Sequence, residues 1–217
     1  MAKLLKSRFR ILVSDTFDKS REAERLGVEF TPLKETASSD VVVFSTPVSA
    51  LKSALMQAKP FLKNGALVLD VCSVKEKPAR LMRDILPDVD LLGTHPLFGP
   101  KSGKSGIRGM KIVLCPLRIS KNRFDGVKRF LHNLGLETIV ATPENHDKEI
   151  VLQPITHLIA RALKGISGRL TTKSSELLLG AVDLVKNDSD GIFRDMQTRF
   201  AMAAKKKFLK MLGDENV

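Results

Sequence analysis

Six short apolar runs in this chain fail to alternate with polar residues: "FRILVS" (9–14), "DVVVFSTP" (40–47), "GALVLDVCS" (65–73), "DLLGTHP" (90–96), "GMKIVLCP" (109–116) and "LETIVAT" (136–142). A strand with one face in water alternates. A strand covered on both faces need not, and that is the mark of a parallel sheet packed between helices. The segments between them supply such helices. Residues 18–27, ended by Gly27, then 48–62, 75–86, and 122–135, ended by Gly135, are amphipathic at helical spacing. The pattern predicts an α/β fold built on a parallel sheet.

The pattern changes after Thr142. Pro143 opens a helical stretch over 143–166 with acidic residues in its first turn, and Pro154 should kink it. Residues 171–187 and 189–212 also read as helices, with no strand among them. Two domains are expected: an α/β domain over 1–142 and an all-helical domain over 143–217. A chain of 217 residues, 43% of them hydrophobic, can supply one good core plus a small second domain.

Several classes are disfavoured. No apolar run approaches the ~20 residues of a membrane span. "MAKLLKSRFR" has no apolar stretch before a cleavage site, so no secretory signal is read. Cys72 and Cys115 lack metal-ligand spacing and lie in apolar segments, as in a reduced, cytoplasmic protein with no bound metal. The net charge of +12 is scattered, and Tyr and Trp are absent, so no platform for nucleic-acid bases is visible. Positive potential equally suits a small anionic substrate.

Asp15 closes the first apolar run. In a Rossmann-like dinucleotide-binding sheet, an acidic strand end hydrogen-bonds the adenosine ribose and repels a 2′-phosphate, favouring NAD over NADP. Ser14 and Asp15 are therefore candidate cofactor contacts; a turn-forming Asp is the plainer alternative. The strand and G-x-G-x-x-G loop that should precede them are not in this sequence, and "MAKLLKS" reads as the last turns of the helix that follows such a loop. That first strand is central in the sheet, so its loss would leave a gap in the middle. The expectation is that the sequence begins at an internal methionine of a longer protein, with a truncated form that binds cofactor poorly as the alternative.

From residue 9 onward the chain resembles the prephenate/arogenate dehydrogenases of tyrosine biosynthesis, most of all their plant arogenate dehydrogenase-like branch. The resemblance rests on "DVCSVKEKP" (70–78), "GTHPLFGPKSG" (93–103), "TPENHD" (142–147) and "QPITHLIARAL" (153–163), in that order. It implies NAD-dependent oxidative decarboxylation of a cyclohexadienyl acid. It implies His95 as the catalytic base and Ser73 beside it and the nicotinamide. Thr46 and Pro47 would lie under the cofactor, and a homodimer would form through the helical domain. Taken alone, Ser73 could equally cap the helix from Lys75. The glycines of 99–109 would let a loop fold over a substrate pocket with His95 at its base. Lys101 and Ser102 on that loop, and Gln153, His157 and Arg161 four residues apart on one helix face, are candidate substrate contacts. Arg161 suits a carboxylate.

Two positions depart from the family. Lys101 stands where relatives often carry Glu, and Ala160 where many bacterial relatives carry a second histidine. Three other readings compete: a non-catalytic homologue that keeps the ligand pocket or dimer surface, a β-hydroxyacid dehydrogenase, and nucleic-acid binding. The β-hydroxyacid dehydrogenases typically use a lysine on the helical domain, so His95 in "THP" argues against them.

Overall fold

A computed structural model describes residues 2–99, 101–166 and 168–213. Pro100, inside one of the motifs above, lies outside the described residues. The chain opens with a short helix α1 (Ala2–Leu5), a two-residue strand β1 (Leu12–Val13) and helix α2 (Ser20–Leu26). Gly27 ends α2 in the left-handed conformation (φ 66°), which costs glycine no steric penalty, and its N–H reaches back to the Ala23 and Glu24 carbonyls. Then come β2 (Glu29–Phe30), α3 (Leu33–Ala37), β3 (Val41–Phe44), α4 (Val48–Ala58), β4 (Leu67–Asp70), α5 (Glu76–Ile85), β5 (Asp90–Pro96), β6 (Lys111–Arg118), α6 (Lys121–Asn133) and β7 (Glu137–Val140).

β1 and β2 pair in parallel as a sheet of their own, and β3-β4-β5-β6-β7 form a second sheet. Among the described residues no ladder joins β1 to β3. Val41 and Val43 on β3 are exposed, as befits an edge strand.

Period-2 alternation divides the larger sheet between two cores. Val68 and Leu91 face α4 and α5 with Leu51, Leu55 and Met82. Leu67 and Leu92 face α6 with Leu114, Phe124 and Leu131. The sheet is thus sandwiched between helices, as the unalternating runs require.

One ladder differs from expectation. β5 and β6 are antiparallel, while the other pairs are parallel. The link from Leu97 to Met110 holds no helix among its described residues. Without a crossover, a strand returning beside its neighbour must run the other way.

Beyond β7 every element is a helix: α7 (Pro143–Glu149), α8 (Leu152–Ala162), α9 (Lys173–Val185), α10 (Asp190–Asp195) and α11 (Arg199–Gly213). Two stretches expected to be continuous are broken. Pro154 has no N–H for the Ile150 carbonyl and its ring would strike it, so the helix stops at Ile150 and restarts with Pro154 in the first turn of α8. The second break falls at Met196, which is buried, and Thr198 starts a new helix by accepting from the Ala201 N–H at 3.1 Å. Among the described residues no helix is long and apolar enough to cross a membrane.

Candidate active site

Six polar residues buried in this fold converge at the carboxyl ends of β4 and β5, where open α/β sheets bind ligands. Asp70 ends β4, Thr94 and His95 lie near the end of β5, and Lys75 sits just before α5. His146 and Asp147 come from α7, in the first helix after the sheet. All six are buried.

Lys75 is fully buried. Its ammonium pairs with Asp70 and donates to the Thr94 carbonyl at 2.7 Å. Asp70 also accepts from the Cys72 N–H at 3.0 Å. Gly93 makes this arrangement possible. A Cβ at that position would lie 3.3 Å from Cys115 Cβ and 3.4 Å from Lys75 Cδ, so glycine lets the lysine stem cross β5 without a neighbour having to shift.

His95 lies two residues further along the same face. Its Nδ1 is 2.9 Å from Nε2 of His146, and Nδ1 of His146 is 2.8 Å from Oδ1 of Asp147. Asp147 also accepts two backbone N–H groups at the start of α5, from Lys75 at 2.6 Å and Glu76 at 3.0 Å. One carboxylate thus anchors the histidine pair and caps a helix, the cap and the helix dipole both favouring its negative charge. Burial lowers the His95 pKa from its ordinary 6.5 to about 3, with repulsion from His146 and Lys75 adding to it. The ring is therefore neutral at physiological pH. His95 Nε2 has no partner among the described residues. Among the described residues the sealed, unpartnered side-chain atoms are Thr46 Oγ1, Asp70 Oδ1 and Gln153 Oε1, and His95 Nε2 is not one of them.

The other candidates are placed as follows. Asp15 lies exposed beyond the end of β1 and accepts from the Phe17 N–H at 3.0 Å, with Ser14 half-buried beside it. Thr46 and Pro47 follow β3, and Pro47 begins α4. Thr46 Oγ1, buried and without a partner, is a polar group that a ligand could satisfy. Ser73 lies between β4 and α5 but does not cap the helix. The cap position is Lys75, and its capping acceptor is Asp147, which corrects the local reading of that serine.

Lys101 donates to the Asp183 carbonyl at 2.7 Å, tying its loop to α9. Ser102 is engaged in its own turn, accepting from the Gly99 N–H at 2.9 Å. The loop turns its apolar side, Ile107 and Phe98, into the core against α6. His157 is buried with both ring nitrogens occupied, facing the Gln153 carbonyl and Asp188 Oδ2, each at 3.0 Å. Arg161 pairs with Asp190 at 2.7 Å and lies over the Phe193 ring. A groove of about 1080 Å³ lies among α5, α7 and the start of α11. It is lined by Glu76, Arg80, Glu144, Asp147 and Arg199, among others, and not by His95.

Residues 1–140 match the family model described as prephenate dehydrogenase, nucleotide-binding domain. The chain belongs to the prephenate dehydrogenase family. A probable arogenate/prephenate dehydrogenase of Methanocaldococcus jannaschii is 28% identical over 90% of this chain and 48% of its own length. Arogenate dehydrogenase 1, chloroplastic, of Arabidopsis thaliana is 32% identical over 88% of this chain and 32% of its own. The chain thus spans half or less of the length of these two relatives. Two crystal structures of prephenate dehydrogenase from Aquifex aeolicus align over 97% of this chain, each with a TM-score of 0.76. They cover 84% and 82% of the solved chains at 26% and 23% identity, and the second is a complex with hydroxyphenyl propionate and NAD+.

The sequence pointed to His95, but not to Asp70, Lys75, His146 or Asp147, although all four lie inside the quoted motifs. Lys75 read as the start of a helix, and "HD" as part of a helical first turn. One signal was available: a chain that places Lys five residues after a strand-end Asp can fold the two onto each other. The partnership of His146 with His95, 51 residues away, has no local trace.

Proposed function

We propose that this protein catalyses NAD-dependent oxidative decarboxylation of prephenate or arogenate, with His95 as the base. The reading is carried by one observation in a chain of this family: a neutral, buried imidazole linked through His146 to Asp147. Its Nε2 has no partner among the described residues. The nicotinamide, when bound, supplies the hydride acceptor. His95 accepts the proton of the substrate's ring hydroxyl as hydride departs, and loss of carbon dioxide makes the ring aromatic. General-base help of this kind is worth ~10²–10⁴ in rate.

Asp15 and Ser14 would hold the adenosine ribose, and Thr46 and Pro47 would line the nicotinamide side. Ser73 would orient His95 and the nicotinamide. Gln153, donating through its side-chain amide N–H, and Arg161 would meet the anionic substrate, with Lys101 and Ser102 above it. A substrate role for His157 would require it to release Asp188. The helical segment from 143 onward would serve as substrate and dimerisation domain. The exposed Leu177, Leu178, Leu179 and Leu184 of α9 support pairing with a second copy. Both cysteines are free and buried, which fits a reducing compartment such as the cytoplasm; burial pushes their thiols up to about 12 and leaves them unreactive.

The test is NADH formation by purified native protein supplied with NAD and either prephenate or arogenate. His95→Asn should abolish most turnover and leave ligand binding nearly intact. Unchanged turnover in that variant would overturn the role of His95. Binding without turnover in the wild type would favour the non-catalytic reading.

A further inference from the structure

The three-residue chain Asp147–His146–His95 admits one assignment of protons while both rings are neutral. Both oxygens of Asp147 accept backbone N–H groups, so it faces His146 as a carboxylate acceptor. The His146 nitrogen that meets it, Nδ1 at 2.8 Å, must therefore carry hydrogen. A neutral imidazole carries one such hydrogen, so His146 Nε2 is bare. It faces His95 Nδ1 at 2.9 Å, which must then donate. His95 Nε2 is left as a lone pair, the form a base requires.

We propose that His146 is a positioning residue that fixes this tautomer of His95 and also receives the substrate's proton through it. The proposal rests on the dehydrogenase reading above. The substrate hydroxyl gives its proton to His95 Nε2, and the hydrogen on His95 Nδ1 passes to His146 Nε2. His95 ends neutral with its hydrogen on Nε2. His146 ends as an imidazolium, bonded to His95 through one nitrogen and to Asp147 through the other. One proton enters and none is lost; the hydride goes to the oxidised nicotinamide.

The arrangement answers a difficulty in the site. His95 is a poor place to leave a positive charge, since it is desolvated and stands near Lys75. His146 lies against a carboxylate. Lys75 is matched by Asp70, and Arg199 on α11 by both Glu76 and Glu144. Among the described residues the cationic partner available to Asp147 is His146, once it takes a proton.

The experiment is long-range 1H–15N correlation on the full chain labelled in its four histidines, assigned by single histidine replacements. At neutral pH we expect hydrogen on Nδ1 and none on Nε2 in both His95 and His146. On acidification, His146 should become doubly protonated while His95 moves its single hydrogen to Nε2. Hydrogen on His95 Nε2 at neutral pH, or His95 becoming doubly protonated before His146, would overturn the proposal. This readout needs no turnover, so a protein inactive on both substrates would sink the functional reading and leave the relay standing or falling by itself. The companion variant is His146→Gln, whose amide can accept from His95 and donate to Asp147 but cannot hold the proton. It should lower kcat by ~10²-fold or more, with KM changed little. A kcat within about threefold of wild type would refute the proton-accepting role.

Discussion

Replacing Lys75 by Met tests how the buried polar cluster is held. Methionine matches the length of the lysine stem, so packing beside Gly93 is nearly kept and the change isolates the charge. In the native fold the ammonium meets Asp70 and the Thr94 carbonyl, with none of its side chain in water. Without it, Asp70 keeps only the Cys72 N–H as a donor, and a carboxylate remains in a dry site. Breaking a buried pair from one side costs ~3–5 kcal/mol, because the remaining charge has no compensation. Lys75→Met should therefore lower the unfolding free energy by that amount, read as a lower urea midpoint at unchanged slope. Removing the second charge as well, in Lys75→Met/Asp70→Leu, should recover about 2 kcal/mol or more of the loss, since two apolar groups can replace a buried pair at little net cost. A single variant that loses less than about 1 kcal/mol, or a double variant no better than the single, would refute the reasoning.

Three further outcomes follow. Folded His95 holds its proton only below about pH 3, whereas the unfolded ring holds it below about 6.5, so the unfolded chain binds more protons in that window and stability falls as pH drops through it. The loss from this group should reach ~3 kcal/mol by pH 4.5. Urea midpoints at pH 7 and 4.5 should fall less in His95→Asn, and equal losses in the two proteins would contradict the assignment. Gly93→Ala places a methyl 3.3 Å from Cys115 and 3.4 Å from the Lys75 stem. It should cost ~1–3 kcal/mol in thermal or urea unfolding, and a neutral effect would show that the lysine does not need the gap. Asp15→Ala should weaken NAD more than NADP in binding titrations, and an unaltered preference would remove Asp15 from the cofactor site.

The sequence carried the layered architecture because burial on both faces erases alternation. β4, β5 and α5 needed no more than the apolar runs around Leu67–Asp70 and Leu91–Leu92. The antiparallel turn of β6 was hidden, since the glycine-rich link says only that the chain bends and not which way it returns. The break before α8 could have been placed more closely. A proline at 154 forbids a helical carbonyl at 150, and that is where the helix stops. Thr198 with its acceptor role toward Ala201 was likewise a visible cap. In the site, His95 was legible from "THP" because a motif is local. Asp147 was not, because its work is to cap a helix 71 residues earlier in the chain and to orient a histidine on a strand. Those partners are chosen by the packing of α7 against α5, which no local pattern encodes.

The central claim is that His95 Nε2 meets the ring hydroxyl of the substrate. A crystal structure of the protein with NAD and a product-like hydroxyphenyl acid measures it directly. The phenolic oxygen should lie within ~2.6–3.2 Å of His95 Nε2, with His95 Nδ1 still bonded to His146. The ligand seated instead in the groove among α5, α7 and α11, with His95 sealed away from it, would rule out His95 as the base.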